Sequence, residues 1–159
     1  MQIEELRASL SSKGLSDAVF DYTVATSTAP QFIGNLNLFN SNKLIVGTYK
    51  VQGDTVSTLN TEGIMNLCSP KSQLLHTPGA SEDGTTVILK NVRGMGTVAV
   101  TGSLFLEDEN LTKTVPAFTV NKDQIIASRR TVLCQSDWLI PGHSGPIPVS
   151  EEAKRNAGC

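Results

Sequence analysis

The segment from residue 17 to residue 39 constrains this chain more than any other. Residues 17–25 are rich in Val, Phe, Tyr and Thr and predict a strand that leads directly into Thr26. Six small, polar or apolar residues separate this strand end from Ile33-Gly34-Asn35. At residues 33–39 we predict a short helix with Leu36 and Phe39 turned inward. A strand, a short loop and a helix in this order are typical of a layered α/β fold.

The other periodic segments continue the mixture of helices and strands. A helix is predicted at residues 2–13, where Ile3, Leu6 and Leu10 recur at helical spacing before Gly14. Strands are predicted at residues 43–47, 54–59, 73–76, 85–90, 97–101 and 138–140. The strands that flank residues 91–96 should form a hairpin, because two glycines lie in the turn.

A second long helix is predicted to begin at Asn121, with Gln124 as the other member of a capping box. Its inner face should carry Ile125, Ile126, Val132 and Leu133. Arg129 and Arg130 are expected near the margin, as a solvated pair.

Length and charge predict the organisation of the chain and make nucleic acid an unfavoured partner. The 159 residues, 39% of them hydrophobic, indicate one domain, which we place at residues 1–149, followed by a polar tail at 150–159. The tail should be frayed or form a surface helix. A net charge of -2 does not favour nucleic acid as a partner, since phosphate binding requires a positive field.

The N-terminal residues and the cysteines predict the compartment. Glu4 and Glu5 interrupt any apolar run at the N-terminus, so we expect neither a signal peptide nor a membrane span. Cys68, Cys134 and Cys159 are an odd number without tight spacing, which predicts reduced thiols in an intracellular protein, cytoplasmic or nuclear.

Three short motifs follow the opening segment in chain order. Residues 75–80 read Leu-His-Thr-Pro-Gly-Ala, residues 98–105 end in Gly-Ser-Leu-Phe, and residues 138–143 read Trp-Leu-Ile-Pro-Gly-His. Each motif alone is common turn chemistry. Together with the opening segment, however, they agree in order and spacing across residues 15–149, and that agreement is a strong indication of one fold.

This order resembles the metallo-β-lactamase superfamily, in which a strand ends in Thr, continues into H-x-H-x-D-H and is followed by a helix that opens with Ile-Gly-Asn. The most similar pattern is that of the small single-domain animal members, which read I-G-N-L at this place. The resemblance implies an α/β fold, an αββα sandwich. Because only one helix and one strand precede the loop, it further implies a partial sandwich that lacks the N-terminal strands.

The resemblance also shows which residues replace the family's metal ligands. The seven corresponding positions are Ser27, Ala29, Gln31, Phe32, Ala80, Ser103 and His143. Only His143 is of a type that binds Zn²⁺, which needs three or four converging imidazole, thiolate or carboxylate groups. We therefore predict that the chain binds no metal or other cofactor and is not an enzyme, and that Phe32 is buried where a ligand would otherwise stand.

The predicted function is binding of another protein chain, either a second copy or a complete relative of the same fold. The expected interface lies beside the strand at residues 17–25 and on the first helix, at Ile3, Leu6, Leu10, Phe20 and Tyr22. The alternative is a metal-dependent hydrolase with an altered site or one completed by a partner chain. No motif supports a new site built from His76, His143, Asp83 and Cys134.

Overall fold

The computed structural model describes residues 3–113 and 120–159. Its first element, α1 (Ile3–Ser12), confirms the predicted N-terminal helix, although residue 2 lies outside the described residues. The helix ends at Gly14, which has a φ of +67° and a backbone N–H that donates to the carbonyl of Ser11. None of the residues of α1 is buried, so its apolar stripe lies only partly against the domain.

The N-terminal half of the chain forms two small sheets. The strands in chain order are β1 (Val19–Phe20), β2 (Thr23–Ala25), β3 (Asn40–Ser41), β4 (Leu44–Val46), β5 (Tyr49–Gln52) and β6 (Thr55–Thr58). In the four-stranded sheet the order is β2-β4-β5-β6, with β2 parallel to β4, while β1 pairs in parallel with β3. The predicted strand at residues 17–25 is therefore two short strands, and β2 is an edge strand of its sheet.

The helix expected at residues 33–39 is in the wrong register. The observed helix, α2 (Pro30–Ile33), begins earlier and ends at Gly34, and a separate 3-10 turn covers Leu36–Leu38. Pro30 explains the early start, because its fixed φ and missing N–H suit the first turn of a helix.

The larger sheet has six strands. They are β7 (Ile64–Ser69), β8 (Ser72–His76), β9 (Thr85–Val92), β10 (Gly96–Gly102), β11 (Trp138–Pro141) and β12 (Ile147–Pro148). Their order across the sheet is β12-β11-β10-β9-β8-β7, and only β10 and β11 are parallel. The hairpin of β9 and β10 is confirmed, with Asn91, Gly94 and Gly96 at positive φ in its turn.

Two helices pack on this sheet, α3 (Lys122–Leu133) and α4 (Glu151–Ala157). The side chain of Asn121 accepts from the N–H of Gln124 at 3.0 Å, so the predicted helix start is confirmed. The N–H of Asn121 donates instead to the carbonyl of Gly79 at 3.1 Å, which ties the helix start to the turn after β8. The surface-helix alternative for the polar tail is the one observed.

The main hydrophobic core lies between the six-stranded sheet and these two helices. Its fully enclosed side chains include Ile88, Phe105, Leu133 and Leu139, each with an exposed fraction of 0%. By contrast, every residue of β6 is exposed. The smaller sheet therefore contributes less to the core than the larger one.

The prediction that Arg129 is solvated is wrong. Its side chain is only 4% exposed and lies over the ring of Phe105, with the guanidinium carbon 5.2 Å from the ring centroid. Its Nε donates to the carbonyl of Leu104 at 2.7 Å, and its Nη1 donates to the carbonyls of Asn110 and Lys113. Burial lowers the pKa of Arg129, because the charged form is desolvated.

The prediction of three reduced thiols is also wrong. Cys134, at the C-terminal end of α3, forms a disulfide with Cys159, and only Cys68 is free. The pairing was not visible in the sequence, because the 25-residue separation matches no recognised spacing and the helices alone bring the two cysteines together.

We expect the buried arginine to be the more important member of the Arg129 and Arg130 pair. Replacing Arg129 by Met removes the donor to the buried carbonyl of Leu104 and to the carbonyls of Asn110 and Lys113, and it should lower the free energy of unfolding by about 3 kcal/mol. Arg130 is exposed, and Arg130→Met should change this free energy by less than about 0.5 kcal/mol. Urea unfolding followed by circular dichroism measures both. Equal losses for the two variants would contradict the anchoring role of Arg129.

Candidate functional site

The loop between β2 and α2 is closed by hydrogen bonds to one carboxylate. Ser27, 1% exposed, donates through its hydroxyl to Asp83 Oδ1 at 3.1 Å. The backbone N–H of Thr28 donates to Asp83 Oδ2 at 2.6 Å, and the N–H of Ala29 donates to the hydroxyl of Ser27 at 3.2 Å. We call the two bonds to Asp83 the Asp83 clasp. It joins the loop of the smaller sheet to the segment that precedes β9 in the larger one.

A glycine at the end of β4 leaves room for the Asp83 clasp. Gly47, at φ +56°, lies against the carboxylate of Asp83, and a Cβ atom on Gly47 would overlap Oδ2. A residue without a side chain is therefore required at the end of β4. Sequence reasoning missed the role of Asp83, because a carboxylate between two sheets is visible only when the strands are placed. The sequence itself offered only a glycine after β4, Gly47, and an acidic residue in the turn before β9, Asp83.

Several strand ends next to the positions that the resemblance aligns with metal ligands lie close together. Gly102, at the end of β10, lies so close to Thr26 that a Cβ atom would clash with the threonine hydroxyl. The N–H of Thr85 donates to the carbonyl of Thr26, and the N–H of Gly142 donates to the carbonyl of Gly102, at 2.8 and 2.9 Å. The loop after β2 and the ends of β10 and β11 therefore converge on one region.

Phe32 and His143 are brought together in this region. Their ring centroids are 6.1 Å apart, and a Cβ atom on Gly142 would stand 3.3 Å from Phe32 Cε1. The prediction that Phe32 is buried is wrong, because the ring is only half-buried and His143 is exposed. The ring lies beside the exposed imidazole, with the two planes tilted by 51°, and does not fill an enclosed cavity.

The other former ligand positions present little polar chemistry. Gln31 is exposed, Ala29 and Ser103 are half-buried, and Ala80 packs against the hydrophobic core. Within residues 3–113 and 120–159, no group of three His, Cys, Asp or Glu side chains could hold a metal ion. One imidazole among alanine, phenylalanine and neutral oxygen donors does not fit a zinc ion.

Three residues of the alternative site that no motif supports, His76, Cys134 and Asp83, each bond to a group outside that site. His76 Nε2 is hydrogen-bonded to the carbonyl of Glu82 at 2.9 Å. Cys134 is held in the disulfide, and Asp83 is engaged in the clasp. None of these contacts joins two of the proposed members.

A cleft of about 460 Å³ opens above the Asp83 clasp. It is lined by Thr28, Thr48, Tyr49, Ser81, Glu82, Asp83 and Val120. Hydroxyl and carboxylate groups line it, without a histidine, lysine or arginine among these residues. The described lining therefore offers neither an imidazole base nor a cation that could stabilise an oxyanion.

Three of the five predicted interface residues line a second, more apolar cavity. This N-terminal groove, of about 440 Å³, is formed by Leu6, Phe20, Tyr22, Thr23, Val24, Phe32, Asn35, Leu36 and Phe39. Phe20 and Phe39 pack edge to face in it, with ring centroids 5.8 Å apart. Leu10 lines a neighbouring cavity beside Leu38, and Ile3 is 39% exposed.

The Asp83 clasp predicts an acid-sensitive contribution to stability. Burial raises the pKa of Asp83, but the bonds from Thr28 and Ser27 outweigh it, so the pKa lies below its ordinary value of 3.8. The stabilisation is therefore present above about pH 4 and is lost as pH falls below that value. Asp83→Asn should lower the free energy of unfolding at pH 7 and flatten its decrease below pH 4. Urea titrations at several pH values measure this.

An exposed carboxylate provides the matched control. Asp17→Asn removes the same charge away from the loop and should leave the free energy of unfolding at pH 7 unchanged. If Asp83→Asn and Asp17→Asn give the same pH profile, the clasp does not stabilise the loop.

Comparisons with known proteins find relatives that match almost the whole chain. No family model matches it. An uncharacterised protein of Caenorhabditis elegans is 32% identical over 94% of this chain and 42% of its own length. Human metallo-beta-lactamase domain-containing protein 1 is 27% identical over 96% of this chain and 58% of its own length. The chain thus spans between 42% and 63% of the length of the curated relatives it matches.

Solved structures agree with the sequence relatives. BLEG-1 B3 metallo-beta-lactamase superposes with a TM-score of 0.62 over 95% of this chain and 81% of that enzyme, at 13% identity. A metallo-beta-lactamase from Hirschia baltica gives a TM-score of 0.60 over 96% of this chain and 72% of its own, at 11% identity. The predicted α/β sandwich is thereby confirmed. The chain therefore has the metallo-β-lactamase fold, and its sequence is similar to metallo-beta-lactamase domain-containing proteins.

Proposed function

We propose that this chain is a non-catalytic member of the superfamily that acts by binding a second protein chain through the N-terminal groove. The non-catalytic assignment rests on the positions matched to metal ligands, where only His143 is of a type that binds metal. The assignment of a binding role rests on the groove and the neighbouring sheet edge. The solved structures with this fold include metallo-beta-lactamases, but fold alone does not assign an activity to this chain.

The bonding of the loop supports a role without metal. A metal loop must keep its side chains free to turn toward the ion, whereas here Ser27 and the Thr28 N–H are already engaged by Asp83. Opening the loop for an ion would break the clasp and leave the buried hydroxyl of Ser27 without its acceptor. The loop is therefore stabilised in a form that cannot assemble a metal centre.

The sheet edge supports a role in binding. Among the described residues β2 pairs with β4 alone, so it is an edge strand, the place where a further strand can be added to a sheet. The apolar wall of the N-terminal groove lies beside this edge and is formed partly by Phe20, Phe32 and Phe39. Val19, next to the groove, is 61% exposed. Apolar surface beside a free strand edge is typical of a protein interface.

The partner we propose is a second copy of the chain. In a symmetric pair both copies use the same surface. Each copy then needs only its own N-terminal groove, its β2 edge and the apolar stripe of α1 to form the interface. A complete relative of the same fold is the other partner consistent with this surface. Mixing experiments distinguish the two, because a relative would leave the isolated chain monomeric.

Elemental analysis tests the metal-free state. After dialysis, we expect the purified chain to hold less than about 0.1 zinc, iron or manganese per molecule, because a single imidazole does not retain these ions. His143→Ala should leave the metal content unchanged. About one metal per chain that is released in His143→Ala would overturn the assignment of this chain as a non-catalytic member.

Light scattering on a size-exclusion column tests self-association. We expect a species of twice the 17.0 kDa chain mass, and Leu6→Glu, which charges the groove, should shift it to the monomer. Ala8→Glu introduces the same charge at an exposed position of α1 and should leave the dimer intact. A folded species of 17.0 kDa at every concentration would exclude the second copy as the partner.

A further inference from the structure

α4 is attached to the domain by few interactions. Its buried side chains are only Ala153 and Ala157, which remove little apolar surface from water. Lys154 Nζ lies 3.4 Å from Asp137 Oδ1, at a partly exposed position where an ion pair contributes little. The covalent bond between Cys134 and Cys159 is therefore a large part of what holds this helix.

The N-terminal end of α4 is joined to the loop that follows β10. Ser150, the N-cap of α4, donates through its backbone N–H to Glu109 Oε2 at 2.8 Å and through its hydroxyl to Glu109 Oε1. The same loop is held from the other side by Arg129, which donates to the carbonyls of Leu104 and Asn110. The loop begins directly after the former ligand position Ser103.

The disulfide is accessible to reductants. Both Cys134 and Cys159 are exposed, and they close the C-terminal ends of α3 and α4. Exposed disulfides are the ones that exchange with external thiols, whereas enclosed ones resist. Among the described contacts, reduction would leave α4 held by the packing of two alanines, one partly exposed ion pair and the contact between Ser150 and Glu109.

We propose that the Cys134–Cys159 disulfide is a reversible redox latch that controls the order of α4 and, through Glu109, of residues 107–113. A dithiol reductant transfers two electrons and two protons to the bond, which yields two cysteine thiols, while the reductant closes its own disulfide. α4 then detaches locally, and the loop beside Ser103 loses its bond to Ser150. Reoxidation restores both.

Hydrogen exchange followed by mass spectrometry tests the latch. The experiment uses the full chain with Cys68→Ser, so that the free thiol does not exchange with the pair. On reduction by dithiothreitol, we expect amides of residues 151–159 and 107–113 to exchange about tenfold faster or more. Amides of α3 and of the hairpin of β9 and β10 should change less than about twofold, because Arg129 and the core hold them.

The double variant Cys134→Ser with Cys159→Ser should show the fast exchange with or without dithiothreitol, which excludes a general effect of the reductant. Unchanged exchange in α4 on reduction would overturn the proposal. Faster exchange throughout the domain would also overturn it, because the disulfide would then support the whole fold. Faster exchange in α4 without any change in residues 107–113 would overturn the coupling through Glu109.

Discussion

The Asp83 clasp connects the four-stranded sheet to the six-stranded sheet, beside the residues that the resemblance aligns with metal ligands. In a metal-binding relative, ligands from several loops would converge on ions and thereby hold the loops together. Here a carboxylate from the segment before β9 accepts hydrogen bonds from the loop after β2. The bond from the Thr85 N–H to the Thr26 carbonyl adds a second link between the sheets. The convergence of strand ends is therefore kept, while the chemistry that maintains it is different.

A second polar group organises the opposite side of the domain. Arg129 is buried among apolar side chains and satisfies its guanidinium with backbone carbonyls of residues 104–113. Its stacking on Phe105 joins this polar network to the hydrophobic core. The arginine thereby fixes the path of the chain just after Ser103. Neither this network nor the clasp contains a metal ligand set, so the described structure rests on hydrogen bonds and apolar packing.

The fold of this chain and its proposed function depend on different parts of the molecule. The superfamily fold is retained over almost the whole chain, and the glycines that allow close approach of Thr26, Gly102 and Phe32 are still needed. Its surface carries a groove beside the edge strand β2 and a disulfide that ties α4 to α3. The disulfide lies outside the positions that the resemblance aligns with metal ligands, whereas the groove includes one of them, Phe32.

The sequence by itself determined the type of fold, the hairpin of β9 and β10 and the start of α3, because these depend on local order and residue type. Tertiary structure alone decided the partner of Asp83, the burial of Arg129 and the pairing of Cys134 with Cys159. The burial of Arg129 was partly visible, since it shares a helix face with Ile125 and Leu133 at i, i+4 spacing. Its compensation was not visible, because the accepting carbonyls belong to a loop whose position depends on the packing of strands distant in sequence.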